Sequence, residues 1–421
     1  MHHAVRSRAA IRTAGLTPVP RPRTPGVASL MDADALRVLH RAARGLLDDL
    51  PGLTDRLVAL LRELEPAYRA VLAKDPTATW QEAHRSLRHS VTSLLDPRGS
   101  RDAARRCSWR IGATRAEQGL PLDALLHAFR LGGSLVWQRL VEETSRTAPE
   151  DVRLLVHVAA DVWNFVDEHC TLVADAYRQT EWQLSRRREN RARLLAAGLL
   201  DGTSRIADLP EAAQALDLPE QGRYVVVAVA GVNPARAAAR AAVVPDGTRV
   251  HWHTGAEVDY GIVLLAAGDG DPPVPGDVVP GPRIGVGSPV EGLAAVGEAR
   301  GHADTALRIC PEDGGVVRLA DHLPAALVVA GPDLGRTLAT RVLGPLLRLE
   351  PADRDVLLDT LTTWLDCDGS AQRAGERLYC HRNTVLNRLR RCEQLTGRSL
   401  ARPADLVEIT LSLTAHHLLP T

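Results

Sequence analysis

The sequence predicts a multidomain, mainly α-helical protein built as an N-terminal helical bundle, a central α/β sandwich and a C-terminal all-α helix-turn-helix. Three observations predict this class. Hydrophobic residues make up 45% of the chain and aromatic residues only 3%, so the cores are built from Leu, Val and Ala, which favours helices. From about 205 to 349 helical periodicity gives way to runs such as Tyr224-Val-Val-Val-Ala-Val-Ala230, which read as buried strands. From 350 to 421 helical spacing returns, with a short and a longer periodic segment parted by a tight break.

A chain of 421 residues implies two to three domains. It carries 51 basic and 51 acidic side chains, so affinity for a polyanion has to come from local charge. Lys74 is the only lysine, and the arginine bias is read as compositional. Six cysteines without close pairs and the lack of an export signal imply a reduced, cytoplasmic protein. The apolar runs are too short or too interrupted to span a bilayer, so no membrane partner is expected. Residues 1–30 hold Arg6, Arg8, Arg12, Arg21 and Arg23 among four prolines and read as a basic, disordered leader. Met31 immediately precedes the first periodic segment and is an alternative start.

Residues 31–183 form the expected N-terminal helical domain, with sensory and dimerising roles. Leu36, Leu39, Ala43, Leu46 and Leu47 mark a first amphipathic helix, with Pro51-Gly52 as its stop. Thr54 begins the next, Pro66 interrupts it, and Thr79-Trp-Gln-Glu82 has the capping-box pattern for a third. A helix over Asp102–Glu117 ends at Gly119, and Pro121 suits the start of another. Gly132 and Gly133 inside that helix imply close approach of a helix or a ligand. His127, Arg130 and Trp137 are read as packing and surface residues, with a sensory pocket as the alternative, and no histidine carries a haem-ligand signature. The run Arg115-Ala-Glu-Gln-Gly-Leu-Pro-Leu-Asp-Ala-Leu-Leu-His-Ala-Phe-Arg130, with Trp137 beyond it, resembles the N-terminal helical domain of RsbR-type stress regulators.

Asp151 to Leu200 reads as one long helix or two collinear ones. Its apolar stripe lapses at Ser185-Arg-Arg-Arg-Glu-Asn-Arg-Ala-Arg193, so 184–204 is taken as a charged helical linker or dimer coiled coil. Across 205–349 the expectations are a strand at Tyr224–Ala230, a hairpin from Arg249–His253 and Gly261–Ala266, a loop at Asp269–Gly281, a strand at Arg283–Gly287 and a helix from Pro289 to Ile309. The sheet should be mainly antiparallel. Ile284-Gly-Val-Gly-Ser-Pro-Val-Glu-Gly-Leu293, Glu298-Ala-Arg300 and Ala303–Leu307 resemble the GGDEF-like domain of PucR/CdaR relatives. The hairpin Thr254-Gly-Ala-Glu-Val-Asp259 lacks the paired glycines and acidic order that a diguanylate cyclase needs, so the domain reads as degenerate. Glu257 and Asp259 are read as solvated rather than cation-binding, and Gly285, Gly287 and Gly292 fit no phosphate-binding spacing.

Asp333–Leu349 reads as a connecting helix. In 350–421, Gly369 stops one helix and Ser370 can cap the next. Ala371, Ala374 and Leu378 share a face. After the break at Tyr379-Cys380-His381, Val385, Leu389, Cys392 and Leu395 form the apolar stripe of a helix over Arg382–Thr396. From Ser370 to Arg402 there are eight arginines against Glu376 and Glu393. Arginine contacts guanine edges and phosphates, and asparagine contacts adenine; the alternative for such a face is plain solvation. Cys367, Cys380, His381 and Cys392 lack zinc-ligand spacing and read as buried thiols, so no metal and no cofactor is expected. Leu357-Leu-Asp-Thr-Leu-Thr-Thr-Trp-Leu-Asp366, His381-Arg-Asn-Thr-Val385, Arg388-Leu-Arg-Arg391 and Leu395-Thr-Gly397 resemble the C-terminal domain of PucR/CdaR-type transcriptional regulators. That resemblance implies a Fis-like helix-turn-helix whose recognition helix is Arg382–Thr396; Leu386 and Asn387 depart from the family pattern.

The reading is therefore a one-component, effector-responsive transcriptional regulator that binds a double-stranded DNA operator. A small-molecule effector and a homodimer or higher homo-oligomer are expected, and no catalytic residue is assigned. Arg382, Asn383 and Asn387 are placed near bases, and Ser370, Thr384, Arg388 and Arg391 at phosphates. Two other readings stay open: an enzyme of cyclic-dinucleotide metabolism, and a stress-signalling scaffold acting by protein contacts.

Overall fold

The computed structural model describes residues 33–244, 247–266 and 281–419. The expected leader, Met31 and positions 269–280 of the expected loop lie outside the described residues. The chain divides into two units, Met1–Ser185 and Arg186–Thr421.

The described part of the first unit is helical. It comprises α1 (Ala33–Asp48), α2 (Leu50–Leu64), α3 (Pro66–Lys74), α4 (Pro76–Leu95), α5 (Arg101–Glu117), α6 (Leu122–Thr147), a 3₁₀ segment Pro149–Leu155 and the start of α7 (Val156–Leu200). Leu53, Leu125, Leu140 and Leu155 are fully buried in its core. Pro51, Pro66 and Pro76 each lie in a first turn, where a missing N–H leaves no bond unmade. Pro51-Gly52 is thus part of α2 and not the expected stop. Nor does Thr79-Trp-Gln-Glu82 open a helix. Asp75 caps α4, its carboxylate accepting the Ala78 N–H at 2.9 Å. Glu82 instead accepts Nε and Nη2 of Arg115 at 2.9 and 2.5 Å. Gly133 answers the expectation of close helix approach, since a Cβ there would stand 2.6 Å from Val166 Cγ2.

In the second unit α7 ends by burying Ala196, Leu199 and Leu200 against a sheet, so part of the expected linker is core. There follow α8 (Leu209–Leu216), β1 (Arg223–Ala230), α9 (Asn233–Val243), β2 (Val250–Thr254), β3 (Val258–Leu264), β4 (Arg283–Val286), β5 (Val290–Glu291), α10 (Val296–Ile309), β6 (Gly315–Arg318), α11 (Leu323–Ala330) and α12 (Pro332–Leu347). The strand order is β2-β3-β1-β4-β6, with β5 on the first residues of β1. Among the described residues only the pair β4 and β6 runs parallel. Tyr224, Val226 and Ala228 of β1 pack towards α10, and Val225, Val227 and Val229 towards α9. A strand covered on both faces needs an unbroken apolar run, which is what the sequence carries.

Two expectations for this region change, and one glycine acquires a packing role. The helix expected from Pro289 begins at Val296, because Val290 pairs with Tyr224 and a 3₁₀ turn occupies Leu293–Ala295. Gly285 serves packing: a Cβ there would meet the Ala303 carbonyl oxygen at 2.3 Å, so glycine lets β4 lie against the α10 backbone. Asp259 is not solvated. It is 3% exposed and pairs with Arg236 at 3.3 Å and Arg240 at 3.4 Å, both from α9. Burial of a carboxylate requires such partners, and the two guanidinium groups occupy the place a cation would take. Glu257 is exposed as expected.

The chain closes with α13 (Pro351–Asp366), α14 (Ala371–Arg377), α15 (Arg382–Thr396) and α16 (Pro403–Leu418). Leu357, Leu361, Ala374, Val385, Leu389, Cys392 and Ile409 form their common core. Val342, Leu343 and Leu346 of α12 belong to the same core, upstream of the start expected at 350.

Candidate nucleic-acid interface

Short-range chemistry in α13–α15 sets the geometry. Asp368 (φ 50°) and Gly369 (φ 75°) reverse the chain after α13. Ser370 then caps α14, its hydroxyl accepting the Arg373 N–H at 3.3 Å. Four residues, Leu378–His381, link α14 to α15. Within them Tyr379 takes a left-handed conformation and is 97% exposed. His381 caps α15, its Nδ1 accepting the Asn383 N–H at 3.2 Å. Gly375 makes the angle possible, since a Cβ there would stand 2.7 Å from the Cys380 carbonyl oxygen. These features together form a helix-turn-helix.

At 3.6 residues per turn, Arg382, Asn383, Leu386, Asn387 and Arg390 fall within an arc of about 140° on α15. Val385, Leu389 and Cys392 fall outside that arc and are buried. Arg382, Asn383, Asn387 and Arg390 are exposed, and Leu386 and Thr384 are half-buried. The Asn387 amide oxygen accepts from Arg390 Nη1 at 2.8 Å. Burial raises the Cys392 thiol pKa to about 11, which keeps it protonated under the helix.

The expected phosphate-contacting residues do not all share that arc. Arg388 donates to Thr360 Oγ1 on α13 at 3.3 Å, and Arg391 pairs with Asp353 at 2.9 Å. The Ser370 hydroxyl is taken up by its cap. Arg373 pairs with Asp368 at 3.0 Å, Arg398 with Glu408 at 2.8 Å and Arg402 with Asp405 at 3.7 Å. Arg377 and Arg382 have no ion-pair partner among the described residues. Arg377 and Arg390, counted in the sequence only within the basic run, are exposed beside the turn and on the arc, and so is Tyr379, which the sequence reading did not single out. The signal for Tyr379 was its place inside the break, where an aromatic side chain has no core to join. Among the described residues no three His, Cys, Asp or Glu side chains are gathered as metal ligands.

Residues 357–415 match the family model of the PucR C-terminal helix-turn-helix domain. The tail carries a PucR-type helix-turn-helix. Upstream, residues 51–192 match the N-terminal domain of the RsbT co-antagonist protein RsbRD. The purine catabolism regulatory protein of Bacillus subtilis (strain 168) is 40% identical over 63 residues, 15% of this chain and 12% of that protein. An uncharacterized protein of Mycobacterium tuberculosis (strain ATCC 25618 / H37Rv) is 35% identical over 81 residues, 19% of each chain. The chain thus spans under a fifth of the length of these relatives. The crystal structure of a regulator of polyketide synthase expression from Bifidobacterium adolescentis aligns over 55% of this chain and 99% of that one, at 19% identity and a TM-score of 0.26, a likeness too low to argue from. Among the described residues no helix is long and apolar enough to cross a membrane. The PucR-type tail therefore has a fold and a family description that agree on one module.

Proposed function

We propose that the chain is a sequence-specific DNA-binding transcriptional regulator, effector-responsive and homodimeric, working in the cytoplasm without a catalytic site. The observation that carries this reading is the exposed arc of α15, where Arg382, Asn383, Asn387 and Arg390 stand clear of the core. Arg382 and Asn383, at the first turn, have the side chains that read guanine and adenine edges in the major groove. Arg377, before the turn, and Arg388 and Arg391, beside α13, supply phosphate contacts once Thr360 and Asp353 release them. One recognition helix buries little surface, so a dimer on paired half-sites is the working form. In this reading 350–421 binds DNA, 31–183 senses and dimerises, 184–204 links, and 205–349 is a degenerate GGDEF-like domain that relays.

The test is genome-wide recovery of the DNA fragments the protein retains, followed by gel-shift titration on the recovered operator. Arg382→Ala should weaken specific binding by about 1–3 kcal/mol and relax the base preference at one position. Unchanged affinity removes Arg382 from the interface. Absence of any salt-sensitive DNA binding overturns the regulatory reading.

A further inference from the structure

Between α2, α4, α5, α6 and α7 the first unit holds a cavity of about 80 Å³. Its wall is mostly apolar, with Leu57, Leu87, Ile111, Phe129, Val136 and Phe165 among the lining residues. Of the polar side chains on the lining, Ser108 and His169 satisfy each other, with Oγ and Nδ1 2.6 Å apart and both residues buried, while Thr79, Glu82, Ser86, His89 and Ser90 all come from α4. Such a void offers water few partners and suits an apolar group of a few carbon atoms. Gly132 opens it, since a Cβ there would find only Leu57 Cδ2, at 3.7 Å. His127, Arg130 and Trp137, read as packing and surface residues with a sensory pocket as the alternative, do not line it.

The cavity shares Thr79, Glu82, His89, Cys107 and Ile111 with a wider cleft of about 890 Å³ along α3, α4 and α5. Lys74, Arg85, Arg106, Arg110 and Arg115 line that cleft against Asp75, Glu82 and Glu117. Glu82 is taken by Arg115, and the Asp75 side chain caps α4. Lys74, Arg85, Arg106 and Arg110 are left with Glu117 as the remaining carboxylate of the cleft, and no ion pair forms between them and any described residue. Arg85 and Arg110 bear on the Cys107 thiol, and Arg106 on His89, both at the junction of cleft and cavity. Unpaired guanidinium groups lining one concave wall suit an anion by charge, and each has a planar fork that matches a carboxylate.

We propose that the cavity and the cleft together form an effector site for a small organic anion with a short apolar or aromatic end. Its carboxylate lies against Arg85, Arg106 and Arg110, and its apolar end passes Cys107 and Ile111 into the void beside Gly132. The word effector rests on the regulatory reading above; the binding itself does not.

Calorimetric titration of the full chain without DNA tests it, with benzoate and hexanoate as probes. Benzyl alcohol and hexanol are the controls lacking a head, and inorganic phosphate is the control lacking a tail. At least one carboxylate should bind saturably and roughly tenfold or more tighter than either kind of control, a difference of about 1.4 kcal/mol. Arg106→Gln with Arg110→Gln should remove that advantage without lowering the melting temperature, since both side chains are exposed and unpaired. Gly132→Val should weaken the carboxylates while leaving phosphate unchanged; Gly132→Ala is the milder variant if valine disturbs α6. Equal binding of phosphate and benzoate, equal binding of the alcohols, or no saturation by either carboxylate at about millimolar concentration each overturns the site. Binding with unchanged DNA affinity leaves the site standing and overturns its role as effector site.

Discussion

Tyr379 combines two properties that oppose each other: an exposed aromatic side chain, and a backbone conformation that favours glycine. Left-handed geometry costs a residue with a Cβ about 1–2 kcal/mol. The ring is 97% exposed, so burial in the described residues does not offset that cost, and contact with DNA is the benefit that the proposed function offers. Tyr379→Gly should therefore raise stability by about 1 kcal/mol in a urea melt and weaken operator binding in a gel shift. A gain in stability with unchanged affinity would remove Tyr379 from the interface. In the first unit, His169 makes a separate prediction. Burial lowers its pKa from 6.5 to about 4, so between those values the unfolded chain takes up a proton that the folded chain refuses. Stability present above pH 6.5 should fall with pH through that window, by about 3 kcal/mol in all. His169→Gln should flatten the profile between pH 6.5 and about 4 in denaturation measured across pH.

The helix-turn-helix depends on fit between elements as well as on its exposed residues. Gly375→Ala would push a methyl group into the Cys380 carbonyl and should cost about 1–3 kcal/mol by forcing α14 and α15 apart. Chemical denaturation gives that cost, and circular dichroism checks that the helices persist. Ser370→Ala should cost about 1 kcal/mol through the lost cap of α14 alone. These same local signals made the element legible in sequence. Ser370, the break after Leu378 and the stripe Val385–Leu389–Cys392 give α15 the bounds expected for it, Arg382–Thr396. The strand Tyr224–Ala230 was legible for a similar reason, because burial on both faces leaves a continuous β-branched run. Features set by distant residues were not legible. Asp259 is buried because Arg236 and Arg240 arrive from α9, and Val290 is extended because Tyr224 lies beside it. Thr79-Trp-Gln-Glu82 satisfies a local pattern that Asp75 and Arg115 override. On α15 the spacing of residues predicts the exposed arc, but the partners of Arg388 and Arg391 lie on α13 and could not be read from α15.

For the molecule as a whole, zero net charge means that long-range attraction to DNA is weak and the salt response is set by the tail. Four of its eight arginines, Arg373, Arg391, Arg398 and Arg402, already face carboxylates. The slope of log affinity against log salt should therefore be shallower than a count of eight implies. Arg377→Gln should reduce it by about one and weaken all sequences alike. If the working form is a two-fold dimer, footprinting should find half-sites about 34 Å apart, one turn of the duplex. The central strand β1 has a consequence of another kind. Tyr224 to Val229 are 0% exposed, and the strand is paired with β3 on one side and with β4 and β5 on the other. Its amides meet solvent only when the whole sheet comes apart. In deuterium exchange they should be the last of the second unit to take up label, at a rate that clocks its global unfolding.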